Sequence, residues 1–431
     1  MDTVTRKDLK IELKARTTGW IRASDGQDPR YPFLRHLLAS LAQFGVVLLL
    51  PLVVLAAEPV VILLSWDGTR HDYPERAALP GLERLEQEGV RARLVPVFPA
   101  NTFPNHVTLA TGAYSARHGI VGNSFRDRER GRFHYSNDAS WLGAEPLWVA
   151  AERQGIRSAV FFWVGSETDW RGVGATYRKS PFDGGVPESQ KVDQILDWLD
   201  LPEVERPRLI MAWWHGADAV GHRKGPEHPS VAQQLKRQDR ELVRLLGGLD
   251  TRGTWDTTTL IVTSDHGMAY SDRYIDVLTP IRQRGIGVQI VPGGGMAFLW
   301  LDDPTRKRDA LRVLGDMKEV RAYASQDLPA SLNGYHPKRC GDIIVMTKPP
   351  YRFDRSSLID RVVDARGAHG YAPDHPEMAA IFYAMGRGVA HDVRLEEVRA
   401  IDVAPSVARL LAIDPPRHSE GTPVLGRGEE Q

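Results

Sequence analysis

The chain has 431 residues, 42% of them hydrophobic, with 55 basic and 55 acidic side chains and a formal net charge of zero. That size and apolar content suit one large α/β domain or two ordinary ones, and the balanced charge excludes nucleic-acid binding through a basic surface, so no nucleic-acid partner is expected. Cys340 stands alone, which excludes an internal disulfide and any Cys-x-x-Cys zinc site and leaves His, Asp and Glu as the possible metal ligands.

Residues 1 to 32 are polar and without periodicity. Arg35 and His36 then precede an uncharged apolar run from Leu37 to Ala57 that closes on small residues, the layout of a secretory signal peptide. Cleavage near Ala57 is expected, leaving a periplasmic or secreted protein; the run is also long enough for a membrane-spanning anchor facing outward. A membrane partner follows only if the run is retained. The polar leader is long for a signal, which suggests a true start further downstream. The expected division is 1–57 as leader plus signal or membrane segment and 58–431 as one domain, with about 275–368 a smaller inserted subdomain.

Val60 to Trp66 is a short apolar run, expected of a strand buried on both faces of a parallel sheet, and it ends at Asp67-Gly68. A helical pattern covers Leu79 to Glu88, closed by Gly89, and Val90 to Phe98 reads as extended. Thr102 stands where that extended segment meets a helix carrying Pro104 in its first turn. A hydroxyl there faces converging N–H groups and suits a phosphate; the plain alternative is that Thr102 is an N-cap. Asn123 to Gly143 is polar, aromatic and irregular, like a segment bordering a site.

The alternation resumes with a helix at Pro146–Gln154, a strand at Ser158–Trp163, a helix at Ser189–Leu199 and a strand at Arg208–Trp214. A long amphipathic helix over Ser230–Leu249 and a strand at Thr258–Thr263 follow. Strand after helix after strand predicts a doubly wound, mostly parallel sheet flanked by helices. From about 275 to 368 the pattern loosens into a smaller α+β insertion, and Met378–Ala384 and Ile401–Leu411 restore a strand and a helix.

Carboxylates and imidazoles follow three of these strands: Asp67, then Asp218 with His222 four residues on, then Asp265 with His266. In open α/β sheets the ligand crevice lies outside the carboxyl ends of the strands, so these groups can converge. Asp218 and His222 share one face of a helical turn. With His369, set among glycines, there are three carboxylates and three imidazoles. That makes two sets of three ligands, which suits two zinc ions each keeping an open position better than it suits magnesium. Two divalent ions against three carboxylates leave one net positive charge, matched to a phosphodiester rather than a dianion.

Thr102-Phe103-Pro104-Asn105-His106, Asp218-x-x-Gly221-His222-x-x-Gly225-Pro226, Ser264-Asp265-His266-Gly267-Met268 and His369-Gly370-Tyr371, in that order, resemble the nucleotide pyrophosphatase/phosphodiesterase family of the alkaline phosphatase superfamily. The match runs from about Val60 to Val424. The resemblance implies an alkaline-phosphatase-like fold and zinc-dependent hydrolysis of phosphodiester or pyrophosphate bonds, those of nucleotides first, through a phosphothreonine intermediate. It makes Thr102 the nucleophile and Asn123 a donor to a phosphate oxygen. It gives one zinc to Asp218, His222 and His369 and the other, with Thr102, to Asp67, Asp265 and His266. Phe103 and Trp213 would flank the nucleotide, Trp213 standing where the family more often has tyrosine. Related chemistries on the same core are phosphomonoester or phosphonate hydrolysis, for which Arg70 or Arg117 would supply a cation, and cleavage of lipid or choline phosphodiesters.

Overall fold

The computed structural model describes residues 58–353 and 366–426. The polar leader and the apolar run to Ala57 lie outside the described residues, as does part of the 275–368 segment. Among the described residues no helix is long and apolar enough to cross a membrane.

Eight strands form the main sheet: β1 (Val60–Trp66), β2 (Gly89–Val95), β3 (Ser158–Phe161), β4 (Tyr177–Lys179), β5 (Leu209–Trp214), β6 (Thr258–Thr263), β7 (Ala380–Gly386) and β8 (Val393–Arg399). Their order is β8-β2-β7-β6-β1-β5-β3-β4. Every pairing is parallel except the two made by β7, which runs against both β2 and β6. The sheet is therefore mixed and mostly parallel, as expected.

The near-continuous apolar character of β1 follows from its place: all seven residues are buried, between β5 and β6. Val61 and Leu63 face one core with helices α2 (Thr102–Thr111), α3 (Leu147–Arg153) and α7 (Val403–Leu410). Ile62 and Leu64 point the other way, into a core with α1 (Pro80–Gln87), α4 (Glu188–Leu199) and α6 (Pro229–Arg252). The remaining helix used below, α5 (Asp218–Lys224), follows β5.

A smaller antiparallel sheet of Val288–Gly293, Met296–Leu301, Ile343–Met346 and Arg321–Ala324, in that order, packs with helices Leu278–Gln283 and Lys307–Gly315. Ile281, Val288, Leu299, Leu314 and Val345 give it a core of its own. This is the α+β insertion.

The segment expected to be irregular after Asn123 is instead a hairpin, Ser124–Asp127 against Gly131–His134. Its order comes from Phe125 and Phe133, buried and stacked at 4.4 Å across the pair, which outweigh the polar residues around them. β4 and β8, the two edges of the main sheet, had no counterpart in the sequence reading. In β8 the run Val-Arg-Leu-Glu-Glu-Val-Arg is the charged pattern of an edge strand and lacks the continuous apolar signal of the centre.

Candidate active site

Three neighbouring strands bring the carboxylates together. Asp67 follows β1 directly, Asp265 and His266 lie just beyond β6, and Asp218 opens α5 after β5. The turns after β1 and β5 pack backbone on backbone, and glycine is required at both. Gly68 and Gly216 have φ of 63° and 58°, and a Cβ at Gly216 would fall 1.7 Å from the Asp67 carbonyl oxygen. This contact lets the Asp218 N–H donate to the Asp67 carbonyl at 3.2 Å. The Gly68 N–H donates to Asp265 Oδ1 at 3.0 Å, tying the third strand end to the first.

Each of three histidines is held by Nδ1 and aims Nε2 inward. His266 Nδ1 bonds the Gly267 carbonyl at 2.8 Å, His222 Nδ1 the Gly367 carbonyl at 3.0 Å and His369 Nδ1 the Asn101 side-chain oxygen at 2.7 Å. With Nδ1 donating, Nε2 carries a lone pair. Those lone pairs face carboxylate oxygens: His266 to Asp265 Oδ2 at 3.1 Å, His222 to Asp218 Oδ1 at 3.3 Å, and His369 to the same Asp218 oxygen at 3.7 Å. Asp67 Oδ1, Asp218 Oδ1 and Asp265 Oδ2 are buried without a hydrogen-bond donor. Acceptors converging on acceptors require a cation, and imidazoles oriented through Nδ1 by oxygen acceptors are the usual surroundings of a bound metal. Two sets of ligand atoms lie close enough to share an ion, Asp67 with Asp265 and His266, and Asp218 with His266 and His369. His222 is in neither set, its Nε2 lying 3.3 Å from Asp218 Oδ1, and His266 takes part in both. The donor set thus fits a metal centre.

The electrostatics agree. Burial, then the neighbouring charges of Asp265 and Asp218, pushes the Asp67 carboxyl well above the usual range. Burial acts the same way on Asp218 and Asp265, but positive charge beside them, at the His222 position foremost for Asp218 and at the His266 position for Asp265, outweighs it and holds both low, so each carboxylate is an anion only opposite a cation. His369 is driven well down by burial and by His266 and His222, which keeps it neutral, the form a metal needs.

Thr102 is the first residue of α2, and Asn101 occupies the N-cap position. Thr102 is therefore not the N-cap; its hydroxyl lies 3.1 Å from His266 Nε2 instead. Asn123 accepts the Phe103 N–H through Oδ1 at 2.8 Å, which leaves its NH2 group as the free arm of the amide. A cavity of about 340 Å³ exposes Asp67, Thr102, Asn123, Asp218, His222 and His369 along one side, with Phe103 and Trp213 in its walls. Asp265 and His266, fully buried, approach from beneath.

Five lining residues were not singled out from the sequence, Tyr135, Asn137, Phe162, Val164 and Phe182, although Tyr135 and Asn137 fall in the Asn123–Gly143 segment expected to border a site. Tyr135 and Phe162 adopt φ of 44° and 61°, which no local signal foretells in an aromatic residue. The sequence reading also missed two supports. Asn101 orients His369, and buried His106 bonds the Thr102 carbonyl at 2.9 Å while its Nδ1 lies 3.3 Å from Asp265. Both flank Thr102 in the motif, and that position was the one available signal. Arg70 and Arg117 do not line the cavity. Arg70 is buried among Asp72, Glu227, Glu377 and the Met268 carbonyl.

Helices on both faces of a mostly parallel sheet, with this cluster of carboxylates and imidazoles at the strand ends, define an alkaline-phosphatase-like hydrolase. Residues 61–372 match the family model of type I phosphodiesterase/nucleotide pyrophosphatase, and the chain belongs to that family. An uncharacterized pyrophosphatase/phosphodiesterase of Schizosaccharomyces pombe is 32% identical over 76% of this chain and 71% of its own length. A venom phosphodiesterase of Crotalus durissus collilineatus is 30% identical over 82% of this chain, which spans only 44% of that relative. Murine ectonucleotide pyrophosphatase/phosphodiesterase 5, in an inactive threonine-to-alanine variant complexed with AMP, superposes with a TM-score of 0.77 at 24% identity, covering 84% of this chain and 96% of that one.

Proposed function

We propose that this protein hydrolyses phosphodiester or pyrophosphate bonds of nucleotides with Thr102 as nucleophile and two zinc ions as cofactor. Asp67, Asp265 and His266, with Thr102, would hold one ion, and Asp218, His222 and His369 the other. Bound there, the ions supply Lewis-acid charge that lowers the hydroxyl's pKa and neutralises the developing oxyanions. The observation that carries the reading is the Thr102 hydroxyl, 3.1 Å from His266 Nε2, opening onto a cavity shared with Asp67, Asp218, His222 and His369.

Thr102 gives up its proton to solvent, Oγ1 forms a bond to phosphorus and the bond from phosphorus to the leaving oxygen breaks. Water then cleaves the Oγ1–P bond and restores the hydroxyl. Throughout, the Thr102 N–H at the start of α2 and the Asn123 NH2 group donate to non-bridging oxygens of the phosphate, the Phe103 N–H being held by Asn123. His106 and Asn101 keep Thr102 and His369 in place. Phe103, Trp213 and Phe182 offer aromatic faces to a nucleobase. Among the described residues no Lys or Arg lines the cavity, which favours a monoanionic diester over a dianionic monoester.

The test compares bis-p-nitrophenyl phosphate, p-nitrophenyl phosphate and a nucleotide panel on zinc-loaded protein. Faster diester and nucleotide cleavage is expected, and a monoester preference overturns the reading. We further propose that the leader and apolar run are removed near Ala57, leaving 58–431 as a single catalytic domain in the periplasm or medium. N-terminal sequencing that finds the run retained overturns this.

A further inference from the structure

Trp213 ends β5 beside the cavity, and its indole N–H donates to Asp67 Oδ2 at 3.0 Å. The other oxygen of that carboxylate, Oδ1, is the buried one without a donor, 3.7 Å from His266 Nε2. The indole thus decides which oxygen of Asp67 is committed and which is turned into the cluster. The ring is itself fixed. Beneath it the fully buried Lys191 donates to the Trp213 carbonyl at 3.0 Å and places its ammonium 5.0 Å from the ring centroid. At its side Phe182 packs edge-on at 5.0 Å. Any aromatic ring would wall the cavity; only a ring with a donor at this point also orients Asp67.

We propose that Trp213 is a positioning residue of the metal centre, holding Asp67 by Oδ2 so that Oδ1 faces the cation, while the same ring forms a wall of the substrate cavity. The proposal rests on the reading that Asp67, Asp265 and His266 bind a divalent ion. It joins metal affinity and substrate contact in one side chain. Donors beyond the ligands themselves typically change metal affinity by about ten- to a hundredfold.

The experiment strips the purified protein with a chelator and titrates it with Zn2+ alone, read by competition with a chromophoric chelator. Trp213→Phe, which keeps an aromatic wall and removes the N–H, is expected to bind zinc about ten- to a hundredfold more weakly. Its metal-free melting temperature should stay near that of the parent, so that the loss belongs to the folded protein. Its KM for a nucleotide diester at saturating zinc should change less than its zinc affinity. Phe182→Leu disturbs the same wall without touching a carboxylate and should shift KM with zinc affinity unchanged. Parental zinc affinity in Trp213→Phe overturns the proposal, as does an equal loss in Phe182→Leu. If Trp213→Phe does not fold, Trp213→Leu is judged by the same zinc criterion. Failure of the parent itself to take up zinc refutes the underlying metal reading instead, and is thereby told apart.

Discussion

Two charge clusters, each centred on a buried side chain, flank the end of β1, three residues apart in sequence, and they are built on opposite terms. Around Arg70 every charge is answered: Asp72 at 2.6 Å, Glu227 at 2.7 Å, Glu377 at 3.0 Å and the Met268 carbonyl at 3.0 Å. Around Asp67 the charges are left open, with three carboxylate oxygens lacking donors and imidazole lone pairs aimed at them. A saturated cluster holds the fold and has nothing left for a ligand. An unsaturated one, rigidly held, is stable only with a cation, so satisfaction rather than charge separates structure from site.

The comparison breaks first at Thr102. Thr102→Ala is expected to lower turnover to background while zinc content and melting temperature stay near parental, because Asp67, Asp265 and His266 still hold that ion and the hydroxyl's bond to His266 Nε2 lies within the site; assays of metal-loaded variant decide it. Next comes the open cluster itself. Asp265→Asn should remove the stabilisation supplied by the ion it helps hold, which in the parent is about 4 kcal/mol for each site at zinc a thousandfold above its dissociation constant. Melting curves with and without chelator read both.

The saturated cluster should answer in the reverse sense. Arg70→Met takes the buried guanidinium from Asp72, Glu227 and Glu377, of which Asp72 and Glu227 keep Arg76; these carboxylates are partly exposed, so it should cost on the order of 1 kcal/mol in denaturant unfolding, with zinc affinity unchanged. A parallel loss of zinc affinity would mean that the two clusters are one.

The smallest effect concerns Glu188, behind Trp213. Burial pushes its carboxyl up, but the His215 bond and the Lys191 charge outweigh that and hold it at about 2, against an ordinary 4.5. The unfolded chain therefore binds more protons than the folded one between these values, so Glu188 contributes stability that is present above 4.5 and lost as pH falls toward about 2. Glu188→Gln should flatten the acid limb of the melting temperature against pH.

The central strands, the long helices and the clustering of Asp67, Asp218, Asp265 and His266 at the strand ends were legible in the chain itself, because burial on two faces writes a continuous apolar run and helix amphipathicity writes its own period. Asp67, Asp218 and Asp265 could be placed at one sheet edge because the crevice of a wound sheet lies at its strand ends. Sequence also supplied Thr102 as a helix-start hydroxyl, though only the fold moved it one residue past the cap. What the tertiary structure alone decided was orientation and enclosure. Which nitrogen each histidine turns inward depends on carbonyls from distant segments, such as Gly367 for His222. The walls at Tyr135, Phe162 and Phe182, and the bond from Trp213 to Asp67, join residues 33 to 146 positions from Thr102 or from their partner. Such contacts leave no periodic trace, since they are set by the packing of turns rather than by any local pattern.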